Sequence, residues 1–338
     1  MFPFVGGQDG FTYTTAIAAN LAIYVVLLIT VPSLLIVFIS LIKPKIKEKS
    51  NFYLYAFSSA MFIMIGTVGL IKEGFEKAEN YTHNNGYSEI NEQLMSAILI
   101  GCGAILGLSF AIAFRYFFVK RTGEVHKSHD LHSHDDHIIN LADIDNPKAA
   151  WLVIFLLLSH RTIDGLVLGS SVAEISSHDA HINWGLIITF NFHILIEALI
   201  VYYRQVQFGQ KKWKAVLYNF YTLLALIPIM IIGAATHNFL EGVGWILPIV
   251  NASGGSIITF VGVIELVPEF LHHNKMNSKE WYKLIFWFAL GIVFALIILS
   301  FHSHDEEHSH SEELLTSHTI TNLKLNLFRY QNLNYIWT

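Results

Sequence analysis

The chain has 338 residues, of which 53% are hydrophobic and only 14% charged, with a formal net charge of −5 and a mean hydropathy of +0.48. An ordinary soluble domain carries about 25% charged residues, so that class is excluded. No nucleic acid and no organic cofactor are expected as partners of such a chain, whereas a lipid bilayer is.

The apolar residues come in eight long blocks, at about 16–42, 52–75, 94–119, 149–173, 183–206, 215–236, 252–272 and 282–301. Each reaches the roughly 20 residues that a spanning helix needs. None shows the period-3.6 stripe of a water-facing helix. The fold class predicted is an all-α polytopic membrane protein with eight transmembrane helices.

No Lys or Arg precedes Lys43, so the first block lacks the basic segment of a cleaved signal peptide and is read as a true span. Lys43, Lys45, Lys47 and Lys49 follow it. The second block ends near Glu73, and the loop near 80–93 carries no Lys or Arg. The third block holds the lone Cys102 among Gly101, Gly103 and Gly107, where a packed, inert core thiol is expected.

Arg115, Lys120, Arg121, Lys127 and Lys148 lie between the third and fourth blocks, and Arg204, Lys211, Lys212 and Lys214 between the fifth and sixth. Lys275, Lys279 and Lys283 separate the last two, while the loops near 174–182 and 237–251 again carry no basic residue. By the positive-inside rule the basic loops are cytoplasmic and both termini lie outside.

Residues 1–302 are thus read as one eight-helix membrane domain with two soluble decorations. The cytoplasmic loop 124–146 holds His126, His129, His132, His134 and His137 among Asp130, Asp135 and Asp136. The C-terminal tail, 303–338, follows His302 and continues with His304, His308 and His310 among Asp305, Glu306 and Glu307. Short His-rich tracts bind metals weakly and in many geometries. A plain polar linker is the alternative, but two such tracts flank a membrane domain that itself buries His. Neither contains enough apolar residues to fold, so disorder is expected. Residues 318–338 have no functional reading.

Four polar residues interrupt the fourth and fifth blocks: His160 and Asp164, then His193 and Glu197. Each pair is spaced i, i+4, so both side chains leave one face of a helix a turn apart. All four fall near the middle of their blocks. An ionisable group at that depth is costly and marks a pathway or a bound ion. Two imidazoles and two carboxylates suit a divalent transition metal. A buried hydrogen-bond network that only locks helix packing is the alternative. Gly165 and Gly169, with Ser170 and Ala173 beyond, form a small-residue face for a neighbouring helix.

At these residues the chain resembles the ZIP (Zrt/Irt-like) family of divalent metal transporters. The His-Asn-Phe-x-Asp-Gly signature of the family's fourth helix reads here His160-Arg161-Thr162-Ile163-Asp164-Gly165. The fifth-helix pattern His-(Glu/Asn/Asp)-x-Pro-(His/Glu) reads His193-Ile194-Leu195-Ile196-Glu197. Ala252-Ser253-Gly254-Gly255 followed by Glu265-Leu266-Val267-Pro268-Glu269 is similar to the seventh helix, and Gly69-Leu70-Ile71-Lys72-Glu73 loosely to the end of the second. The similarity covers about residues 15–302. It implies an eight-helix fold, metal held between helices four and five at mid-membrane, and uptake towards the cytoplasm, often by a dimer.

Three departures matter. Arg161 stands where many members have an Asn that binds a second metal, and Ile194 where they have another ligand. At an effective dielectric near 20 and about 6 Å, a guanidinium and a divalent ion repel by roughly 5 to 6 kcal/mol, so a one-metal site is expected. Arg161 is expected to pair with Asp164 or Glu197 instead. Ile196 replaces the family's Pro, so span five should lack its kink.

His237-Asn238-Phe239-Leu240-Glu241-Gly242 matches the fourth-helix signature better than the true candidate does. Counting from Lys214, however, places His237 and Glu241 at the outer mouth, where they would recruit metal or cap a helix. Glu73 lies near the outer end of span two and is a candidate for the way in, with snorkelling to the interface as the alternative. Glu265, Glu269, His272 and His273 lie at the inner end of span seven and are candidates for the way out.

The reading is a ZIP-like transporter, not an enzyme, in the cell membrane. It moves Zn²⁺, or Fe²⁺ or Mn²⁺ with similar donors, through one central site. A transport-dead metal sensor or regulator and an intramembrane zinc hydrolase remain open as alternatives.

Overall fold

The computed structural model describes residues 4–7, 10–43, 48–123, 147–176, 184–207, 209–271 and 277–300. Within these, the side chains of 48–49, 119, 121–123, 147–153, 184–189, 241 and 269 are not described. All regular structure among the described residues is helical.

The first helix, α1 (Tyr13–Ile42), starts at Thr12, whose Oγ1 accepts the Thr15 N–H. It buries Ala16, Asn20, Tyr24, Leu28, Pro32, Ile36 and Ser40, one residue in every four. Such a series is a single i±4 ridge, so α1 meets the bundle along one edge. Its remaining faces expose Val26, Val31, Leu34, Phe38, Leu41 and Ile42. An apolar exterior of this kind has lipid, not water, as its solvent.

A rod follows, made of α2 (Glu48–Met64), a π-turn (Ile65–Ile71) and α3 (Lys72–Asn84). It outruns the apolar block by some turns. Lys72–Glu76 and Glu73–Lys77, both i,i+4 pairs, carry the helix on past the apolar residues. Gly86, at φ 72°, turns the chain into α4 (Glu89–Gly123). Then come α5 (Pro147–Ile175), α6 (Trp184–Gln207), α7 (Lys212–Leu224) and α8 (Leu226–Val243). The interruption at Ala225 precedes Pro228, which lacks an N–H for the Leu224 carbonyl and crowds it.

The next rod is α9 (Ile246–Phe260), a second π-turn (Val261–Leu266) and α10 (Val267–Leu271). It starts earlier than the apolar block because Pro248 falls in its first turn, where a missing N–H costs nothing. In the second π-turn the Val267 N–H reaches back to Gly262 O, five residues away. The last described helix, α11, is Ser278–Ser300.

Among the described residues, six helical stretches are long and apolar enough to cross a membrane: Tyr13–Ile42, Ser50–Asn84, Glu89–Phe118, Lys212–Leu240, Ile246–Leu266 and Ser278–Ser300. Helices α5 and α6, with 29 and 24 residues, carry the polar quartet between them.

Packing sorts these helices into neighbourhoods. Helix α5 lies chiefly against α8, and α4 against α9, while α6 meets α1 and α7; α5 and α6 share few contacts. The α5–α8 crossing is close enough that a Cβ on Gly169 would strike the Met230 backbone, and one on Gly233 the Leu166 backbone. Gly165 faces Ile229 and Leu226 there, so the small-residue face does receive a neighbour.

One expectation is corrected. Cys102 is exposed, not packed in the core. Gly103 and Gly107, a turn apart, are the residues that α9 approaches through Ile249 and Ser253. Cys102 precedes Gly103 by one residue, about 100° around the helix, and shares the outward side with Ile98, Ile105 and Leu106.

Candidate metal centre

Helix α5 places His160 and Asp164 one turn apart, and α6 does the same for His193 and Glu197. All four are buried, as is Arg161 beside them. His160 Nε2 lies 3.0 Å from Asp164 Oδ2, and His193 Nε2 lies 3.4 Å from Glu197 Oε1. The two imidazoles face each other across the helix pair with ring centroids 5.3 Å apart, and the Phe62 ring of α2 backs His193 at 6.1 Å. Ile163 packs on Gly254, which brings α9 close behind this part of α5.

His160, Asp164 and His193 each offer one ligand atom, and these atoms lie within 4.8 Å of one another. Both ring nitrogens of His160, both oxygens of Asp164, His193 Nε2 and Glu197 Oε1 are buried without a hydrogen-bond partner. The His160–Asp164 pair is close but lacks the alignment of a hydrogen bond. Buried polar atoms are nearly always satisfied, so a cluster of orphans converging on one point is an unusual and costly arrangement. A divalent cation would satisfy them together, since imidazole nitrogen and carboxylate oxygen are its preferred donors.

Glu197 stands slightly apart. Its Oε2 accepts from Arg161 Nε at 2.6 Å, and Arg161 Nη1 donates to Thr222 Oγ1 at 2.9 Å. Of the two partners foreseen for Arg161, Glu197 is the one it takes. Ile194, fully buried, packs in a cluster with Leu168, Leu223 and Met230. Helix α6 runs unbroken through Ile196.

The outlying candidates are dispersed. Glu73 receives Lys77 Nζ at 2.6 Å at the start of α3. His237 is buried, with Nδ1 3.0 Å from Ser170 Oγ. Ser170 is six residues beyond Asp164, about 9 Å along the helix, so the His237 motif is off the level of the quartet. Glu265 sits in the second π-turn, buried and paired with Arg115 of α4. The Glu241 and Glu269 side chains, His272, His273 and the loop residues His126, His129, His132, His134 and His137 lie outside the described residues.

Two residues escaped the sequence reading. Thr222 and Asn219 stand on α7 one turn apart, and Asn219 Nδ2 donates to Ala198 O at 2.6 Å, next to Glu197. The signal was there, since a buried Asn inside an apolar block is itself expensive.

The model of the ZIP zinc transporter family matches residues 113–299, which includes both ligand-bearing helices. The chain belongs to the ZIP zinc transporter family. No curated protein matches it. As a ZIP family member it is a multi-pass integral membrane protein, of a class that transports divalent metal rather than performing enzymatic chemistry.

Proposed function

We propose that this ZIP family member moves a divalent metal, Zn²⁺ before Fe²⁺ or Mn²⁺, towards the cytoplasm through one central site. His160, Asp164 and His193 receive the ion and Glu197 completes the ligand set. The observation that carries this reading is the convergence of three buried ligand atoms within 4.8 Å, on two helices, with no hydrogen-bond partners of their own. A guanidinium beside Glu197 leaves no room, electrically, for a second ion.

In this reading α5 and α6 join the six apolar helices as spans, giving eight in residues 1–302, with both termini outside the cell membrane and the tail 303–338 outside the fold. Glu73 and His237 lie on the outer approach, and Glu265 near the inner end. Passage is a rocking of the four-helix core that contains α5 and α6.

Uptake of radioactive zinc by membrane vesicles tests the reading. His193→Ala and Glu197→Ala should each abolish uptake at normal expression. Wild-type rates in both would sink the site assignment.

A further inference from the structure

Arg161 is a buried cation within reach of a buried ligand for another cation. Its Nε holds Glu197 Oε2 at 2.6 Å, and its Nη1 is tied to Thr222 Oγ1 on α7. Thr222 Oγ1 in turn donates to Asn219 O at 2.7 Å, and Asn219 donates to Ala198 O on α6. The bonds close a ring through α5, α6 and α7, with the Arg161–Glu197 ion pair at its charged corner.

The ring holds Glu197 on the arginine's side. The three-ligand group that lies within 4.8 Å contains His160, Asp164 and His193 but not Glu197. Glu197 Oε1 nevertheless points the other way, 3.4 Å from His193 Nε2 and without a hydrogen bond. The carboxylate stands between two cationic sites, one oxygen on each side. A small rotation would pass it from the guanidinium to an ion held by His160, Asp164 and His193.

We propose that Arg161 is a tethered competitor for the transported ion, held on Glu197 by Thr222 and Asn219 of α7. This rests on the central-site reading above. With Arg161 seated, the ion has three protein ligands and a nearby positive charge, and it leaves readily. With Glu197 drawn to the ion, the ligand set is complete and the guanidinium loses its counter-charge. Both cations draw on one carboxylate, so each weakens the other's hold by the same factor. A carrier must bind weakly enough to release, and a competing cation attached to the chain supplies that weakness without a second solute. Thr222 is a positioning residue here: it touches no ion and acts through Arg161.

The test is zinc binding to the purified full-length protein in lipid nanodiscs, with the central site defined as the zinc lost in His193→Ala. Thr222→Val keeps the shape of the side chain and removes the bond to the guanidinium. It should tighten central-site binding about tenfold, the worth of one hydrogen bond to a charged group, while Thr222→Ser should bind as wild type does. Arg161→Gln should tighten it further and serves as the second reading should Thr222→Val fold poorly. A merely structural brace would give the opposite sign, with weaker or unchanged zinc binding in Thr222→Val and Arg161→Gln, and that result overturns the proposal. If His193→Ala loses no zinc, the central site itself is misplaced. If it loses zinc while neither variant binds more tightly, only the competitor role falls.

Discussion

Arg161 Nε and Glu197 Oε2 are 2.6 Å apart, and both side chains are shut off from solvent. Removing one partner of such a pair strands the other charge in a low dielectric, at a cost of about 3–5 kcal/mol. Arg161→Leu should therefore lower the thermal midpoint of the metal-free protein in lipid. Zinc should recover much of the loss, because ligand at about 100 times its dissociation constant contributes about 2.7 kcal/mol. A thermal scan with and without zinc checks this, and an equal zinc shift in Arg161→Leu and in His193→Ala/Arg161→Leu would refute it.

The Arg115–Glu265 pair joins α4 to the second π-turn and is nearly as buried. Glu265→Ala and Arg115→Ala should each destabilise by about 3–5 kcal/mol, whereas the double variant should cost much less than their sum. A double-mutant cycle on unfolding in detergent measures the difference. Additive losses would mean that the two charges do not depend on each other.

Gly169 and Gly101 make a matched contrast. A Cβ at Gly169 meets the Met230 carbonyl, a backbone atom that cannot step aside, whereas one at Gly101 meets nothing within 4 Å. Gly169→Val should lose most of the folded protein, at or above the usual 1–3 kcal/mol of overpacking. Gly101→Ala should be neutral or stabilise the helix by up to about 1 kcal/mol. The yield of monodisperse protein on size exclusion reads both.

Cys102 shares its side of α4 with Ile98, Ile105 and Leu106, so a spin label there should sit in hydrocarbon. Its signal should be broadened by oxygen, which concentrates in lipid, and scarcely by a water-soluble nickel complex. Equal protection from both would return Cys102 to the protein interior.

Much of this was legible in the chain itself. Apolar length found the six rods that are long and apolar enough to cross a bilayer, and the i, i+4 spacing of His160–Asp164 and His193–Glu197 set each pair on one helix face. The rod ends were less legible, since α3 extends to Asn84 through surface ion pairs that hydropathy counts as polar loop. Facing was less legible still. Cys102 among glycines looked buried, but the glycines' approach to α9 fixes which side of α4 faces out. Thr222 and Asn219 are far from the quartet in sequence, and only the fold of α7 over α6 makes them its neighbours.

The two π-turns carry a consequence for comparing this chain with its relatives. A π-turn accommodates one residue more than the α-helix around it, so all that follows is rotated by about 100°. A single-residue gap within 65–71 or 261–266 would thus remove a bulge and leave the helix whole. A relative with the shorter form in 261–266 would keep the Gly254 contact with Ile163 and turn its equivalent of Glu265 away from Arg115. In an alignment, that one-position gap would mark where two otherwise superimposable family members differ in how this helix is fastened to α4.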